Sequence, residues 1–147
     1  GTSKTVQRID QWPASQGVDT CSTMIIGIGI DMIEVARVGE KVSRDNGFRE
    51  KVFSVRECQY CDSRKDKDQN YAARFAAKEA FLKATGKGLS IGYDLCEIEV
   101  VSDALGKPKM SLHGNFKKLA LENGWNKIHL SLSHVQAMAC AVVIIEA

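Results

Sequence analysis

The stretch NYAARFAAKEAFLKATGKG, residues 70–88, constrains the fold more than any other part of the chain. Ala, Leu, Lys and Glu favour helix, and Gly86 supplies the residue that closes one, so a long helix is expected here. Tyr71, Phe75 and Leu82 mark its apolar stripe, which must be buried against something. The segments downstream supply the surface. CEIEVVS, KPKMSLH, KIHLSLSH and AMACAVVII read as extended, with a short helix around NFKKLALENG among them. The last two extended segments look like a hairpin, and AMACAVVII, apolar on both faces, suits the centre of a sheet.

Upstream, MIIGIGID (residues 24–31) is a β-branched run that suits a buried strand, yet it ends in a carboxylate. An ionised Asp is costly there unless paired, hydrogen-bonded or metal-bound, so Asp31 is expected at the strand's mouth with something to hold. Gly27 and Gly29 leave one strand face bare, for close approach of a ligand or for tight packing against a helix. They are not a dinucleotide fingerprint, because Met32 stands where the third glycine is needed. Val35, Val38 and Val42 then recur at helical steps, with Arg37, Lys41 and Arg44 on the opposite side, giving an amphipathic helix with a basic outer face. Ser54 and Glu57 have the spacing of a capping box and predict a second helix, followed by the polar linker DSRKDKDQ. The fold class is α+β, with helices packed on a mainly antiparallel sheet.

With 147 residues, 44% hydrophobic and 26% charged, the chain fits one globular domain. A formal net charge of +2 is too mild for nucleic-acid binding through bulk electrostatics, so any anion site is local. No apolar run approaches the roughly 20 residues of a membrane span. Cys21, Cys58, Cys61, Cys96 and Cys140 are odd in number, form no regular framework and follow no secretory signal, which points to a reducing cytoplasm. Cys58 and Cys61 lack a second pair at zinc spacing and read as two thiols along one helix. Residues 1–23 are polar and aperiodic, with Pro13 and Gly17, and read as an extension of a processed chain whose single domain spans residues 24–147.

Several residues invite chemistry. Glu79 lies one turn after Phe75, with Arg74, Lys78 and Lys83 around it; alone, it reads as half of a surface ion pair worth about 0.3–0.5 kcal/mol. Together with Asp31 it suggests more, since magnesium takes one or two carboxylates and completes its shell with water and phosphate oxygens. His134 continues the apolar row of Ile128, Leu130 and Leu132, as a strand-end residue or, if other charged groups converge on it, as a phosphate donor or acid/base group. Gly86 to Gly88 read first as a helix C-cap, second as an anion-binding loop with Lys87.

The pieces GIGIDMIEVARV, FSVRE, ARFAAKEAFLKATGKG, GKP and LSLSH occur in an order and spacing that resembles the holo-acyl-carrier-protein synthase family, the small type of 4′-phosphopantetheinyl transferase. The resemblance covers nearly all of residues 24–147. It implies the transferase fold and transfer of the phosphopantetheine arm of coenzyme A to a serine of an apo acyl carrier protein, releasing adenosine 3′,5′-bisphosphate, as a cytoplasmic step tied to fatty-acid synthesis. It makes Asp31 and Glu79 magnesium ligands, and Glu79, Lys83 and His134 catalytic. Either Glu79 or a metal-bound water that it orients would take the serine proton.

For coenzyme A the resemblance implies Lys83 near the pyrophosphate, with Lys78 beside it. Arg74, Lys65 or Lys67, and Ser133 with His134 would surround the adenosine 3′-phosphate. Gly86, Lys87, Gly88, Gly106 and Pro108 would line the pantetheine or adenine. Arg37, Lys41 and Arg44 would meet an acidic carrier, and the family's trimeric state implies sites between subunits. Val135 and Met138 depart from the family's usual hydroxyl and aromatic residues. Two other readings use the same residues: a non-catalytic carrier- or coenzyme-A-binding module, and a metal-dependent phosphohydrolase.

Overall fold

The computed structural model describes residues 23–88 and 94–147, so all of the expected extension except Thr23 lies outside the described residues. The elements run β1 (Ile25–Glu34), α1 (Val35–Ser43), α2 (Phe48–Val52), α3 (Val55–Asp62), α4 (Lys67–Thr85), a 3₁₀ turn (Leu95–Glu97), β2 (Ile98–Ser102), β3 (Pro108–Leu112), α5 (Gly114–Asn123), β4 (Lys127–His134) and β5 (Met138–Glu146). All the described strand pairs are antiparallel, in a three-stranded sheet of order β1-β5-β4 and a separate β2-β3 ladder. The doubly apolar β5 is the central strand, as its composition requires.

Local signals fix most of the boundaries. Ser54 accepts from the Glu57 backbone N–H at 3.2 Å while the Glu57 carboxylate accepts from the Ser54 N–H at 3.0 Å, a complete capping box opening α3. Gly86 ends α4 in the left-handed region at φ 65°. Helix α4 begins at Lys67, inside the stretch read as linker, and α2, too short to carry a period, has no counterpart in the sequence reading.

Helix α4 is the centre of the molecule. Its buried side chains include Tyr71, Ala72, Ala76, Ala77, Ala80, Phe81 and Ala84, a far wider surface than the Tyr71–Phe75–Leu82 stripe, of which Phe75 and Leu82 are only half-buried. One core gathers Phe81 with Phe116 and Trp125 edge-to-face at 6.0 and 5.8 Å, beneath Val143 and Ile145. The other packs Val35, Val38 and Val42 of α1 with Phe53 and Tyr71.

Strand β1 differs from its sequence reading twice. It continues three residues past Asp31, to Glu34, so Asp31 lies within the strand opposite Ala141 and not at its mouth. Only one of its faces is buried in the single chain, since Ile28, Ile30 and Met32 are 57–67% exposed. The other face carries the glycines, and they serve helix packing: a Cβ on Gly27 would stand 1.8 Å from the Ala84 carbonyl oxygen and one on Gly29 1.9 Å from that of Ala80. Backbone cannot yield as a side-chain tip can. Gly29→Ala is therefore expected to cost about 3 kcal/mol, at the upper end for overpacking, read as a lowered denaturant midpoint with an unchanged slope.

Candidate active site

The glycine and alanine contacts draw β1 onto α4, and Asp31 is the next inward residue of the Gly27–Gly29 row. It faces the same cleft as Glu79, a cavity of about 370 Å³ whose wall also includes Arg37, Lys41 and Phe75. Lys83 turns to β1 instead of pairing with Glu79: its ammonium donates to Asp31 Oδ1 and to the Ile30 carbonyl, both at 3.0 Å. Burial, and then the charge of Asp31, push the Glu79 carboxyl above its usual range against the opposing influence of Lys83 and Lys41. Two carboxylates held close with part of their repulsion uncompensated are a pair whose charge a bound cation would offset.

The donor set says which cation fits. Among the described residues no three His, Cys, Asp or Glu side chains cluster as metal ligands. Zinc, which prefers nitrogen and sulfur and a closed tetrahedron, is poorly served. Magnesium, which keeps water and takes phosphate oxygens beside one or two carboxylates, matches the pair.

Basic groups flank this cleft. Arg37 and Lys41 line it, and the Lys41 ammonium lies 5.7 Å from the ring centroid of Phe48, which in turn packs 6.1 Å from Phe75. Arg44 follows the end of α1 as its C-cap and engages Glu40, and both side chains are well exposed. Beyond them, Lys65 and Lys67 edge a depression of about 500 Å³ at the start of α4, with His134 Nε2 3.9 Å from Asp66 beside it. The structure thus brings His134 to the Lys65–Lys67 segment across the whole sequence. Ser133, one residue earlier, is exposed on the opposite face of β4 by strand alternation.

Arg74 opens a different cavity, of about 420 Å³, with Arg56, Tyr60 and Ser102. The β2–β3 turn holds Gly106 at φ 83° and starts β3 at Pro108, and Asp103 steadies it by accepting from the Leu105 and Lys107 backbone at 2.9 Å each. Lys87 and Gly88 continue the α4 cap, Gly88 also at positive φ, 61°.

Lys78 corrects the sequence reading. It is fully buried, not in the cleft: its ammonium donates to Glu57 Oε1 at 2.7 Å and to the carbonyls of Leu95 and Ile98. Three bonds away from solvent leave it no reach toward coenzyme A. Its neighbour Glu79 faces the cleft because adjacent helix residues point about 100° apart. Sequence reasoning also missed the second task of Glu57, which bonds Lys78 and the Val100 N–H besides capping α3. It gave Tyr60 no role either, although the ring lies 4.3 Å from the Arg74 guanidinium. Neither has a local signal, since each partner is at least 14 residues away.

A cleft with paired carboxylates, flanked by cations, on an α+β frame suits the chemistry of metal-assisted transferases and hydrolases that act on phosphates. Residues 27–143 match the 4′-phosphopantetheinyl transferase superfamily. The holo-[acyl-carrier-protein] synthase of Geotalea daltonii is 46% identical over 124 residues, which are 84% of this chain and 99% of that one. The crystal structure of holo-[acyl-carrier-protein] synthase from Neisseria meningitidis superposes with a TM-score of 0.76 at 30% identity, over 84% of this chain and all of that one. The Bacillus anthracis synthase in complex with CoA (3′,5′-ADP) gives 0.69 at 33%, over 84% and 98%. The chain belongs to the holo-[acyl-carrier-protein] synthase family of 4′-phosphopantetheinyl transferases.

Proposed function

We propose that the chain, through residues 24–147, transfers the 4′-phosphopantetheine arm of coenzyme A to a serine of an apo acyl carrier protein. The reaction depends on magnesium, releases adenosine 3′,5′-bisphosphate and supplies fatty-acid synthesis in the cytoplasm. The observation that carries this reading is the Asp31–Glu79 pair, two carboxylates sharing a cleft with a lysine poised beside them.

Asp31 and Glu79 would hold the cation, which when bound supplies positive charge against the pyrophosphate. Lys83, 56% exposed in its side chain, is free to leave Asp31 for a phosphate oxygen. Glu79, directly or through a water, takes the proton of the serine hydroxyl, a role favoured by a carboxylate more basic than usual. The serine oxygen bonds to the β-phosphorus in line as the bond to the α-phosphate oxygen breaks, and the adenosine bisphosphate leaves. Lys65 or Lys67 and His134 of one copy and Arg74 of another, which line separate cavities of the single chain, bind its 3′-phosphate between subunits, and Gly86 to Gly88 with Gly106 and Pro108 line the pantetheine or adenine. Arg37 and Lys41, with Arg44 released from Glu40, steer an acidic carrier and fix its register.

Intact-mass spectrometry of an apo carrier mixed with this protein, coenzyme A and magnesium tests the reading. A gain of one phosphopantetheine supports it. Adenosine bisphosphate released without a carrier would mark a phosphohydrolase, and coenzyme A bound without turnover a binding module.

The active assembly is a homotrimer, with further copies of this chain covering the outer face of β1. Ile26, Ile28, Ile30 and Met32 form an unbroken exposed row there, beside Val142 and Ile144 of β5. A contiguous apolar patch of this kind on one chain is a docking surface. Light scattering is expected to give the mass of three chains, and Ile30→Lys to give single chains with transfer reduced at least tenfold.

A further inference from the structure

Among the described residues, Arg74 is a buried cation that no acid answers. It is 4% exposed, its Nε has no hydrogen-bond partner, and among the described residues no carboxylate pairs with it. Taking a charge out of water without a counter-charge is expensive, so such a group is retained where an anionic ligand completes it. The remaining restraint on the guanidinium is the ring of Tyr60, with its centroid 4.3 Å from the Arg74 guanidinium carbon. Arg64 packs 4.6 Å from the same centroid, so the ring is itself gripped. Both Tyr60 and Arg74 border the cavity of about 420 Å³ that also presents Arg56, Gln59 and Ser102.

Resting on the reading above, in which Arg74 meets the adenosine 3′-phosphate, we infer that Tyr60 is a positioning residue for nucleotide recognition. Its face holds the guanidinium plane by cation–π attraction, which leaves the N–H fork free of any protein acceptor and turned toward a phosphate monoester. An Asp or Glu in that place would hold Arg74 equally well but would occupy the donors the phosphate needs. The ring restrains the plane without consuming a hydrogen bond.

Steady-state kinetics with coenzyme A and with its analogue lacking the 3′-phosphate, on the wild-type chain, Tyr60→Leu and Tyr60→Phe, test the role. Tyr60→Leu is expected to raise KM for coenzyme A about tenfold with kcat little changed and with KM for the analogue unmoved. Tyr60→Phe, which keeps the ring face, is expected to retain wild-type values. Calorimetric titration gives an independent readout: the leucine variant loses affinity for adenosine 3′,5′-bisphosphate but not for adenosine 5′-monophosphate. Tyr60→Met repeats both measurements if leucine unfolds the chain.

A leucine variant that loses both substrates equally, or neither, overturns the role of Tyr60 while the transferase reading stands. A wild-type chain that binds the two nucleotides equally overturns the assignment of Arg74 and the inference with it.

Discussion

Glu79→Gln is expected to abolish phosphopantetheine transfer, by roughly 10³-fold or more, while making the metal-free protein harder to unfold. The two effects have one cause. Glu79 is half-buried on α4, and its carboxyl is pushed up by desolvation and by the charge of Asp31 across the cleft. Glutamine preserves shape and removes the charge, so both penalties vanish and the denaturation midpoint rises at neutral pH. It also removes what we propose as a ligand for the divalent cation and the acceptor for the serine proton. Sites kept unfavourable in the empty protein because their charge is needed with substrate show this opposition of stability and activity. The check is paired: intact-mass turnover at saturating coenzyme A and magnesium, and urea denaturation with a chelator present. A variant that is inactive and less stable would mean that Glu79 supports the fold instead.

Lys78→Ala is expected to destabilise the chain by about 3–5 kcal/mol, enough to leave a domain of this size marginal. The lysine is buried against Glu57, and it ties four elements together: α4, α3 through Glu57, and the 3₁₀ turn and β2 through the carbonyls of Leu95 and Ile98. Truncation strands the Glu57 carboxylate and two carbonyl oxygens in a dry interior. Burial already draws the Lys78 pKa below the ordinary lysine value, against the pull of Glu57. A depressed value means that the folded chain binds this proton less tightly than the unfolded one, so the penalty on Lys78 is fully present below its folded pKa and fades as pH rises through the window up to the ordinary lysine value of 10.5. Chemical denaturation across pH, compared between wild type and Lys78→Ala, reads both effects. A loss under 1 kcal/mol would show that the pair contributes little to holding α3 and β2 on α4.

Much of this was legible from neighbouring residues. Ser54 and Glu57 announced α3 because a capping box is satisfied within four residues. Val35, Val38 and Val42 announced α1, all three buried as their spacing requires. Gly86 ended α4 and the doubly apolar β5 took the sheet centre. The misread features share another property. Helix α2, with five residues, is shorter than any hydrophobic period. Lys78 looks in the sequence like a surface lysine beside Glu79, and its burial is made tolerable by Glu57 and by the carbonyls of Leu95 and Ile98, 21, 17 and 20 residues away. The exposed isoleucines of β1 read as core because composition alone does not tell a strand buried on both faces from one whose own chain covers a single face.

The sequence by itself determined the α+β class, the start of α3, the end of α4 and the family, since propensity, capping and motif spacing act between residues close along the chain. Tertiary structure alone decided which charges face solvent, cleft or core. It set Lys83 on Asp31, buried Lys78 against Glu57, and laid the Arg74 guanidinium against the Tyr60 ring. The reason is physical: the energy of a charge depends on its desolvation and on partners brought close by folding, and both are properties of the packed chain.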